Sequence, residues 1–296
     1  MFDLKKCNLC PRMCGVDRTK GIGLCGMGDT LYIARAALHF WEEPPISGTC
    51  GSGTVFFAGC NLKCVYCQNR TISRGRAGKP FTEEMLAAAF SRLEREGAHN
   101  INLVTPTHYA PQILGAIALY RRAGGALPMV YNTSGYERQE IIRALGGQID
   151  IYLADLKYAE NTSAKRYSHA PDYPKVARAA ISEMVRQCGA PCLDEKGILQ
   201  KGVVVRILVL PSLEHEAMMN LKWLKETFGD LVMVSIMNQY TPVGADLPKE
   251  LAAPLPKAAY QTVVDYARSL NFKYAYIQEG ETAKESFIPP FEEEFR

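Results

Sequence analysis

Short apolar runs recur along most of the chain, and stretches with helical spacing separate them. Strands buried in a parallel sheet have continuous apolar runs of this kind, because both of their faces are covered. We therefore predict seven strands, at residues 54–57, 100–105, 129–131, 151–156, 203–210, 231–236 and 272–277.

The segments between the runs place apolar residues three and four positions apart, which is typical of helices with one buried face. Thr82 is a favourable N-cap and Gly97 a common stop for one of these helices. We predict helices at residues 82–95, 109–123, 139–145, 175–188, 214–228 and 256–270.

Strands that alternate with helices indicate βαβ units and a parallel sheet, and therefore the α/β class. About six such units predict a partial or full TIM-like barrel with its site at the carboxyl ends of the strands. Residues 1–50 are instead rich in Cys and Gly and show no clear periodicity. We predict two domains: a small irregular metal-binding lobe at 1–50 and the barrel at 51–296.

The composition excludes several functional classes. The hydrophobic fraction of 47% and the charged fraction of 22% are globular values. The net charge of +3 arises from lysines and arginines spread along the chain, which argues against nucleic-acid binding. No run approaches the ~20 apolar residues of a membrane span, and residues 1–7 lack the apolar region of a secretory signal. We therefore expect a cytoplasmic protein.

Ten cysteines are many for a cytoplasmic chain, and seven of them form two groups within the first 67 residues. A reducing compartment disfavours structural disulfides, so grouped cysteines there are more typical of metal ligands or redox centres. Cys50, Cys188 and Cys192 belong to neither group, and we assign no role to them.

One group is Cys60-x3-Cys64-x2-Cys67, in a loop directly after the predicted strand 54–57. Thiolates hold iron–sulfur clusters, and three of them leave one iron of a four-iron cluster without a protein ligand. An open coordination position is typical of catalytic metal sites. The alternative is a zinc knuckle, but zinc usually takes four ligands and the triplet has no obvious fourth ligand nearby.

The spacing of this triplet, with Tyr66 just before its last cysteine, resembles the signature of the radical S-adenosylmethionine (SAM) superfamily. The resemblance implies a [4Fe–4S] cluster on the three cysteines, whose open iron binds the methionine part of SAM, with Tyr66 beside the cofactor. It also implies reductive cleavage of SAM to a 5′-deoxyadenosyl radical, which removes a hydrogen atom from the substrate. The electron would come from a donor such as a flavodoxin or ferredoxin.

Between residues 54 and 240 the order of segments resembles that of the pyruvate formate-lyase activating enzymes. It is most similar to an uncharacterised branch of that group, which carries an N-terminal cysteine lobe. Asn132-Thr133-Ser134-Gly135 resembles the Asp-Thr-Asn-Gly motif of these enzymes, which lies near SAM. The resemblance implies that Asn132 and Ser134 contact SAM, and that the hydrogen atom is taken from a partner protein.

Asp155-Leu156-Lys157 resembles the Asp-x-Lys motif of the same enzymes, and Arg206 matches an arginine placed over their SAM site. Side chains two apart on a strand point to one face, so Asp155 and Lys157 would reach the same cavity. A charge within an apolar run needs a partner, and bound SAM would provide one for Arg206. The structural alternatives are an Asp155–Lys157 ion pair and a pairing of Arg206 with a helix carboxylate.

The end of the second strand departs from this pattern. The activating enzymes end it in Gly-Gly-Glu, whose carboxylate contacts the SAM amino group, whereas this chain has Thr105-Pro106-Thr107-His108. The hydroxyls of Thr105 and Thr107 could accept hydrogen bonds from that amino group. His108 is a candidate for proton transfer, substrate binding or packing. The departure leaves a peptide or a small metabolite open as the substrate.

The other cysteine group is Cys7-x2-Cys10-x3-Cys14-x10-Cys25, with several glycines between its members. Four thiolates suit either a closed zinc site or a second iron–sulfur cluster, and the sequence leaves both open. Zinc would act as a structural staple for a lobe with little core, whereas a cluster would serve electron delivery or substrate binding. If both groups bound zinc, the chain would be a non-catalytic metal-binding scaffold.

Overall fold

The computed structural model describes residues 2–75, 77–243 and 246–278. The strands in these residues belong to one ten-stranded sheet. They are β1 (Leu31–His39), β2 (Ser52–Phe57), β3 (Lys79–Phe81), β4 (Ile101–Val104), β5 (Met129–Thr133), β6 (Ile151–Asp155), β7 (Cys192–Leu193), β8 (Leu199–Leu208), β9 (Met233–Met237) and β10 (Ala275–Ile277). All seven predicted strands are present, with ends shifted by a few residues.

The six predicted helices are also present in the described residues, together with three further α-helices. The helices are α1 (Pro44–Ser47), α2 (Arg70–Ser73), α3 (Glu83–Arg95), α4 (Ala110–Arg122), α5 (Gln139–Ala144), α6 (Asn161–Ser168), α7 (Tyr173–Cys188), α8 (Glu214–Phe228) and α9 (Lys257–Ser269). Thr82 caps α3 as predicted, since its Oγ1 accepts a hydrogen bond of 3.2 Å from the backbone N–H of Met85. Within the described residues, no helix combines the length and apolar character needed to cross a bilayer.

The sheet has the strand order β10-β9-β8-β6-β5-β4-β2-β1-β3, and β7 pairs with β8 off this path. Neighbours from β2 through β10 along this path are parallel. In the described part of the chain the end strands β3 and β10 do not pair with each other. The predicted α/β fold is confirmed, in the form of a partial TIM-like barrel.

The N-terminal segment is less irregular than the sequence indicated. Residues 31–39 form β1, which pairs antiparallel with β2 and with β3. The irregular part is residues 2–30, in which no helix or strand occurs. The division at residue 50 stays a prediction, because β1 lies before that point and yet extends the barrel sheet. Of the predicted barrel domain, residues 279–296 lie outside the described residues.

The concave face of the sheet changes from apolar to polar along the strands. At the start of the strands, Ile46 of α1 shares one buried apolar cluster with residues of four strands: Val130, Ile151, Leu153, Leu199, Val204 and Met233. Because alternate residues share a face, Asn132, Asp155 and Arg206 lie on the same face two positions further along. The polar side chains are thereby gathered at the carboxyl ends of the strands.

Candidate active site

The loop after β2 brings its three cysteines to one cavity at the carboxyl ends of the strands. Cys60, Cys64 and Cys67 all line this cavity. Each sulfur accepts a hydrogen bond: Cys60 Sγ from the Leu62 N–H at 3.4 Å, Cys64 Sγ from the Ser168 hydroxyl at 3.0 Å, and Cys67 Sγ from the Ser73 hydroxyl at 3.5 Å. Such donors stabilise sulfur ligands in the thiolate form and tune bound clusters.

The surroundings of Cys60 and Cys64 favour the neutral thiol until a metal centre is bound. Burial raises the pKa of Cys60 to about 12, and the neighbouring Cys64 and Cys67 add to the rise. Burial also raises the pKa of Cys64, against the opposing positive charge of Lys157. Cluster loading therefore has to displace protons from this loop, as is usual for thiolate ligands.

The same cavity holds a network of charged and amide side chains centred on Arg206. Its Nε donates to Asp155 Oδ1 at 2.8 Å, and its Nη2 donates to Asn132 Oδ1 at 2.8 Å. Its Nη1 donates to Glu42 Oε2 at 3.3 Å. Lys157 Nζ lies 2.6 Å from Asp155 Oδ2, so this carboxylate is held between two cations.

The network keeps its charges despite burial. Burial alone would raise the pKa of Asp155, but the charges of Arg206 and Lys157 outweigh it and hold this pKa below its usual value. Burial alone would lower the pKa of Arg206, but Asp155 and Glu42 raise it. The cavity thus presents ionised groups of both signs, as recognition of a zwitterionic ligand requires.

Seven of the nine residues predicted to contact SAM or substrate line the cavity, and two do not. The lining includes Tyr66, Thr105, Asn132, Ser134, Asp155, Lys157 and Arg206. Thr107 instead donates its hydroxyl to the buried carboxylate of Glu137. His108 Nε2 lies 2.7 Å from the carbonyl oxygen of Ala58, and burial lowers the pKa of this ring to about 3.

The backbone at the end of β4 explains why Thr105 lines the cavity whereas Thr107 and His108 do not. Thr105 has a φ of +61°, in the left-handed region that is unfavourable for a threonine. The chain turns there into the short 3-10 helix Thr107–Tyr109, whose residues are all buried. Thr107 and His108 are therefore directed into the packed interior, away from the cavity.

The chain matches the family model described as Radical SAM superfamily over residues 54–221, which is more than half of its length. It belongs to the radical SAM superfamily. A relative of the chain is an uncharacterized protein of Methanocaldococcus jannaschii, 28% identical over 254 residues that cover 80% of this chain and 67% of the relative.

Two solved structures resemble this one. Streptococcus suis SuiB bound to S-adenosylmethionine has 12% identity and a TM-score of 0.48, covering 75% of this chain and 48% of SuiB. Native anSMEcpe with bound AdoMet has 15% identity and a TM-score of 0.48, covering 74% of this chain and 61% of that protein. The chain therefore spans about half the length of SuiB.

Superfamily membership implies SAM and a [4Fe–4S] cluster, and the donor set of the cavity fits both. Three thiols from one loop leave one iron of a cubane open, which is the position that a SAM-binding cluster needs. The same cavity supplies the cations and hydrogen-bonding groups of Arg206, Lys157 and Asn132 for the charged ends of a ligand.

Glu42 was not predicted from the sequence, although its side chain belongs to the charged network around Arg206. Its carboxylate accepts hydrogen bonds from Arg206 and, at 3.2 Å, from Asn132 Nδ2. The sequence offered only a weak signal, the acidic pair Glu42-Glu43 near the end of the irregular lobe predicted at residues 1–50. Its place in the site depends on α1 entering the concave side of the sheet.

The four cysteines of the N-terminal segment also come together. Cys7, Cys10 and Cys25 are buried and Cys14 is half-buried. A Cβ at Gly23 would lie 3.4 Å from Cys25 Sγ and 3.5 Å from Cys14 Sγ, so this glycine leaves room beside both sulfurs. Burial raises the pKa of Cys10 to about 12.

The remaining cysteines take no part in either group. Cys50 and Cys192 are exposed, and the buried Cys188 lies 3.5 Å from the carbonyl oxygen of Asp150.

Proposed function

We propose that the chain is an enzyme in which Cys60, Cys64 and Cys67 hold the superfamily's [4Fe–4S] cluster, with SAM bound in the adjoining cavity. When bound and reduced, this pair of cofactors supplies a 5′-deoxyadenosyl radical that removes a hydrogen atom from a substrate. We further propose that the substrate is a residue of a partner protein, as in the activation of glycyl radical enzymes. The observation that carries the proposal is that the three thiols and the charged network face one cavity.

The charged network is suited to orienting a zwitterion. A guanidinium has five N–H groups, and Asp155, Glu42 and Asn132 occupy three of those on Arg206. The remaining N–H groups are available to a carboxylate or a ribose oxygen of SAM. The Asp155 carboxylate, which stays ionised, holds Lys157 and Arg206 in place, so little reorganisation is needed when SAM binds.

Apolar side chains line part of the cavity. Leu62, Leu208, Met237 and Tyr240 contribute to its walls. Tyr66 is held there because its hydroxyl lies 2.9 Å from that of Tyr158. Exclusion of water and of stray hydrogen donors protects a reactive radical, which is the protein's main contribution in such chemistry.

A peptide or small-metabolite substrate is the second candidate, and the end of β4 favours it. The carboxylate of the activating enzymes is missing there, and only Thr105 of the Thr105–His108 segment lines the cavity. An EPR doublet on a partner with a glycyl-radical loop, after incubation with reduced enzyme and SAM, would support the partner-protein proposal. No doublet with any candidate partner, together with deoxyadenosine formation, would support the second candidate.

Anaerobic reconstitution with iron and sulfide tests the proposal as a whole. We expect a brown protein with at least about four irons per chain, which forms 5′-deoxyadenosine from SAM after reduction with dithionite. Cys50→Ser is the matched control, because this exposed cysteine belongs to neither group. A colourless zinc protein without SAM turnover would instead identify a non-catalytic metal-binding scaffold and overturn the proposal.

The proposal includes two further parts. The four N-terminal cysteines bind a second metal centre, either zinc or an iron–sulfur cluster. A cytoplasmic electron donor such as a flavodoxin or ferredoxin reduces the enzyme.

A further inference from the structure

A histidine and two glutamates come together where α6 and α8 begin. Glu160 directly precedes α6, and His215 and Glu216 lie in the first turn of α8. Each side chain has a possible ligand atom within 4.8 Å of those of the other two, and His215 Nε2 lies 3.7 Å from Glu160 Oε1. None of the three residues lines the SAM cavity. We call them the α6–α8 cluster.

Glu216 is the buried member of this cluster. The residue is 1% exposed, and its Oε2 accepts hydrogen bonds from the backbone N–H groups of Ala159 at 2.7 Å and Glu160 at 2.9 Å. Its Oε1 is also buried and has no hydrogen-bond partner among the described residues. A buried acceptor without a partner is costly, and buried charges in proteins are normally paired or bound to a metal. A cation at the cluster would satisfy this oxygen.

The other two side chains are placed to complete a cation site. His215 and Glu160 have side chains that are 56% and 46% exposed, so an ion can reach them from solvent. The Thr162 hydroxyl donates to Glu160 Oε2 at 3.3 Å. Each carboxylate thus has one oxygen held by hydrogen bonds that leave its second oxygen for an ion. Bonds of this kind orient metal ligands in advance.

The distances suit a single divalent transition-metal ion. Zinc bonds to imidazole nitrogen and carboxylate oxygen are about 2.0–2.2 Å long, so two ligand atoms of one ion lie at most about 4.3 Å apart. The 3.7 Å between His215 and Glu160 is within this limit, and rotation of these two exposed side chains can shorten the other distances, which are below 4.8 Å. One imidazole with two carboxylates suits ions such as Mn²⁺ and Zn²⁺.

A cation here would join two elements beside the SAM cavity. Glu160 follows the cavity residue Lys157 by three positions. From α8, the Asn220 side chain already donates a hydrogen bond of 3.3 Å to the carbonyl oxygen of Leu156 in the same connection. A cation shared by Glu160 and the start of α8 would add a second link, and because it requires the folded arrangement it would stabilise that arrangement.

We propose that Glu160, His215 and Glu216 form a binding site for one divalent transition-metal cation, with water in the remaining coordination positions. The bonds are coordination bonds from the imidazole nitrogen and the carboxylate oxygens, and the cation keeps its charge. The inference goes beyond the proposed function and does not depend on it, because neither the cysteines nor SAM take part.

Titration of the reconstituted full chain with Mn²⁺, followed by the EPR signal of the free ion, tests the site. Mn²⁺ is a suitable probe because thiolates prefer softer ions, so the cysteines compete little for it. We expect about one Mn²⁺ per chain. His215→Ala should weaken binding at least about tenfold, since even the loss of an outer-shell partner costs that much.

Three variants locate the bound ion. Glu160→Gln should behave like His215→Ala, and both changes are at exposed side chains, so the fold should persist. Glu226→Gln is the matched control, because it removes an exposed carboxylate from the same helix, and it should bind Mn²⁺ like the wild type. Equal binding by the wild type and His215→Ala, or a Kd above about 1 mM for the wild type, would overturn the inference.

Thermal unfolding tests the link between the two elements. Mn²⁺ should raise the unfolding midpoint of the wild type and of Glu226→Gln, but not that of His215→Ala. An equal rise in all three proteins would place the ion elsewhere and overturn the inference. SAM cleavage is measured on the same samples, and its absence from a wild type that binds Mn²⁺ would count against the proposed function alone.

Discussion

At the scale of single residues, Cys64 shows how the fold prepares a thiol for a metal centre. Its sulfur is buried, accepts a hydrogen bond from Ser168 and lies near the positive charge of Lys157. The Ser168 hydroxyl in turn lies 2.7 Å from that of Tyr158. The sulfur is therefore held in position by contacts that do not depend on the cluster itself.

Cys64→Ala tests this residue directly. We expect loss of deoxyadenosine production, because only two thiolates would remain to hold the cluster in position for SAM binding. The barrel should still fold, because the change removes only one side-chain atom at its edge. Deoxyadenosine assays and circular dichroism measure the two effects. Wild-type production of deoxyadenosine by this variant would refute the assignment of the three ligands.

Glu137 is a second residue with an informative environment. It is fully buried, its Oε1 accepts hydrogen bonds from Thr107 and Thr133, and burial raises its pKa from 4.5 to about 7 despite these two donors. The folded protein therefore keeps a proton that the unfolded chain loses between these two values. The stability gained from this proton is complete below pH 4.5 and is lost as the pH rises through about 7.

Glu137→Gln should remove this pH dependence. Between about pH 5 and pH 8 the wild type should lose up to about 3 kcal/mol of unfolding free energy relative to the variant. Denaturant unfolding at several pH values measures the difference. Glu226→Gln, at an exposed position in α8, is the control and should follow the wild type; an equally pH-dependent Glu137→Gln protein would contradict the argument.

At the scale of elements, Arg206 connects three parallel strands and the segment before α1. Its partners Asn132, Asp155 and Glu42 come from β5, β6 and that segment. The side chains of Arg206, Asp155 and Glu42 are only 15%, 19% and 10% exposed. Removal of one partner from such a network leaves the opposite charges buried and unpaired.

We expect Arg206→Met to lower the free energy of unfolding by about 3–5 kcal/mol and to weaken SAM binding. Lys222→Met is the control, because the Lys222–Glu226 pair is more than half exposed and should contribute less than about 1 kcal/mol. Urea titrations and equilibrium SAM binding measure the two effects. Similar losses of stability in both variants would show that the network has no special role.

At the scale of the whole molecule, the segment of residues 2–30 is attached to the barrel through its cysteine region. Arg12 reaches the loop that carries the candidate cluster ligands, and Arg18 reaches the carbonyl oxygens of Gly28 and His108. The segment has no helix or strand of its own. Its order comes from these contacts and from Leu9 and Met27, which are buried in the main apolar core, and the proposed second metal centre would add to it.

Cys10→Ser should therefore release the second metal centre and expose residues 2–30 to proteolysis, while the barrel remains folded. Metal content and limited proteolysis are the measurements, and Cys192→Ser at an exposed position is the control. An unchanged metal content and an unchanged digestion pattern in Cys10→Ser would contradict a metal-dependent segment.

The amino-acid sequence by itself determined the order of seven strands and six helices, a barrel that is either partial or full, and the three-cysteine loop after β2. These features depend on local periodicity and on spacing within a few residues, which a sequence displays directly. Only the tertiary structure decided that Thr105 faces the cavity while Thr107 does not, because a turn of the backbone directs their side chains. It also decided that β1 joins the sheet, that Glu42 pairs with Arg206 and that Cys25 contacts Cys60. Each of these contacts joins residues far apart in the chain, and their distances exist only once the sheet has brought the loops together.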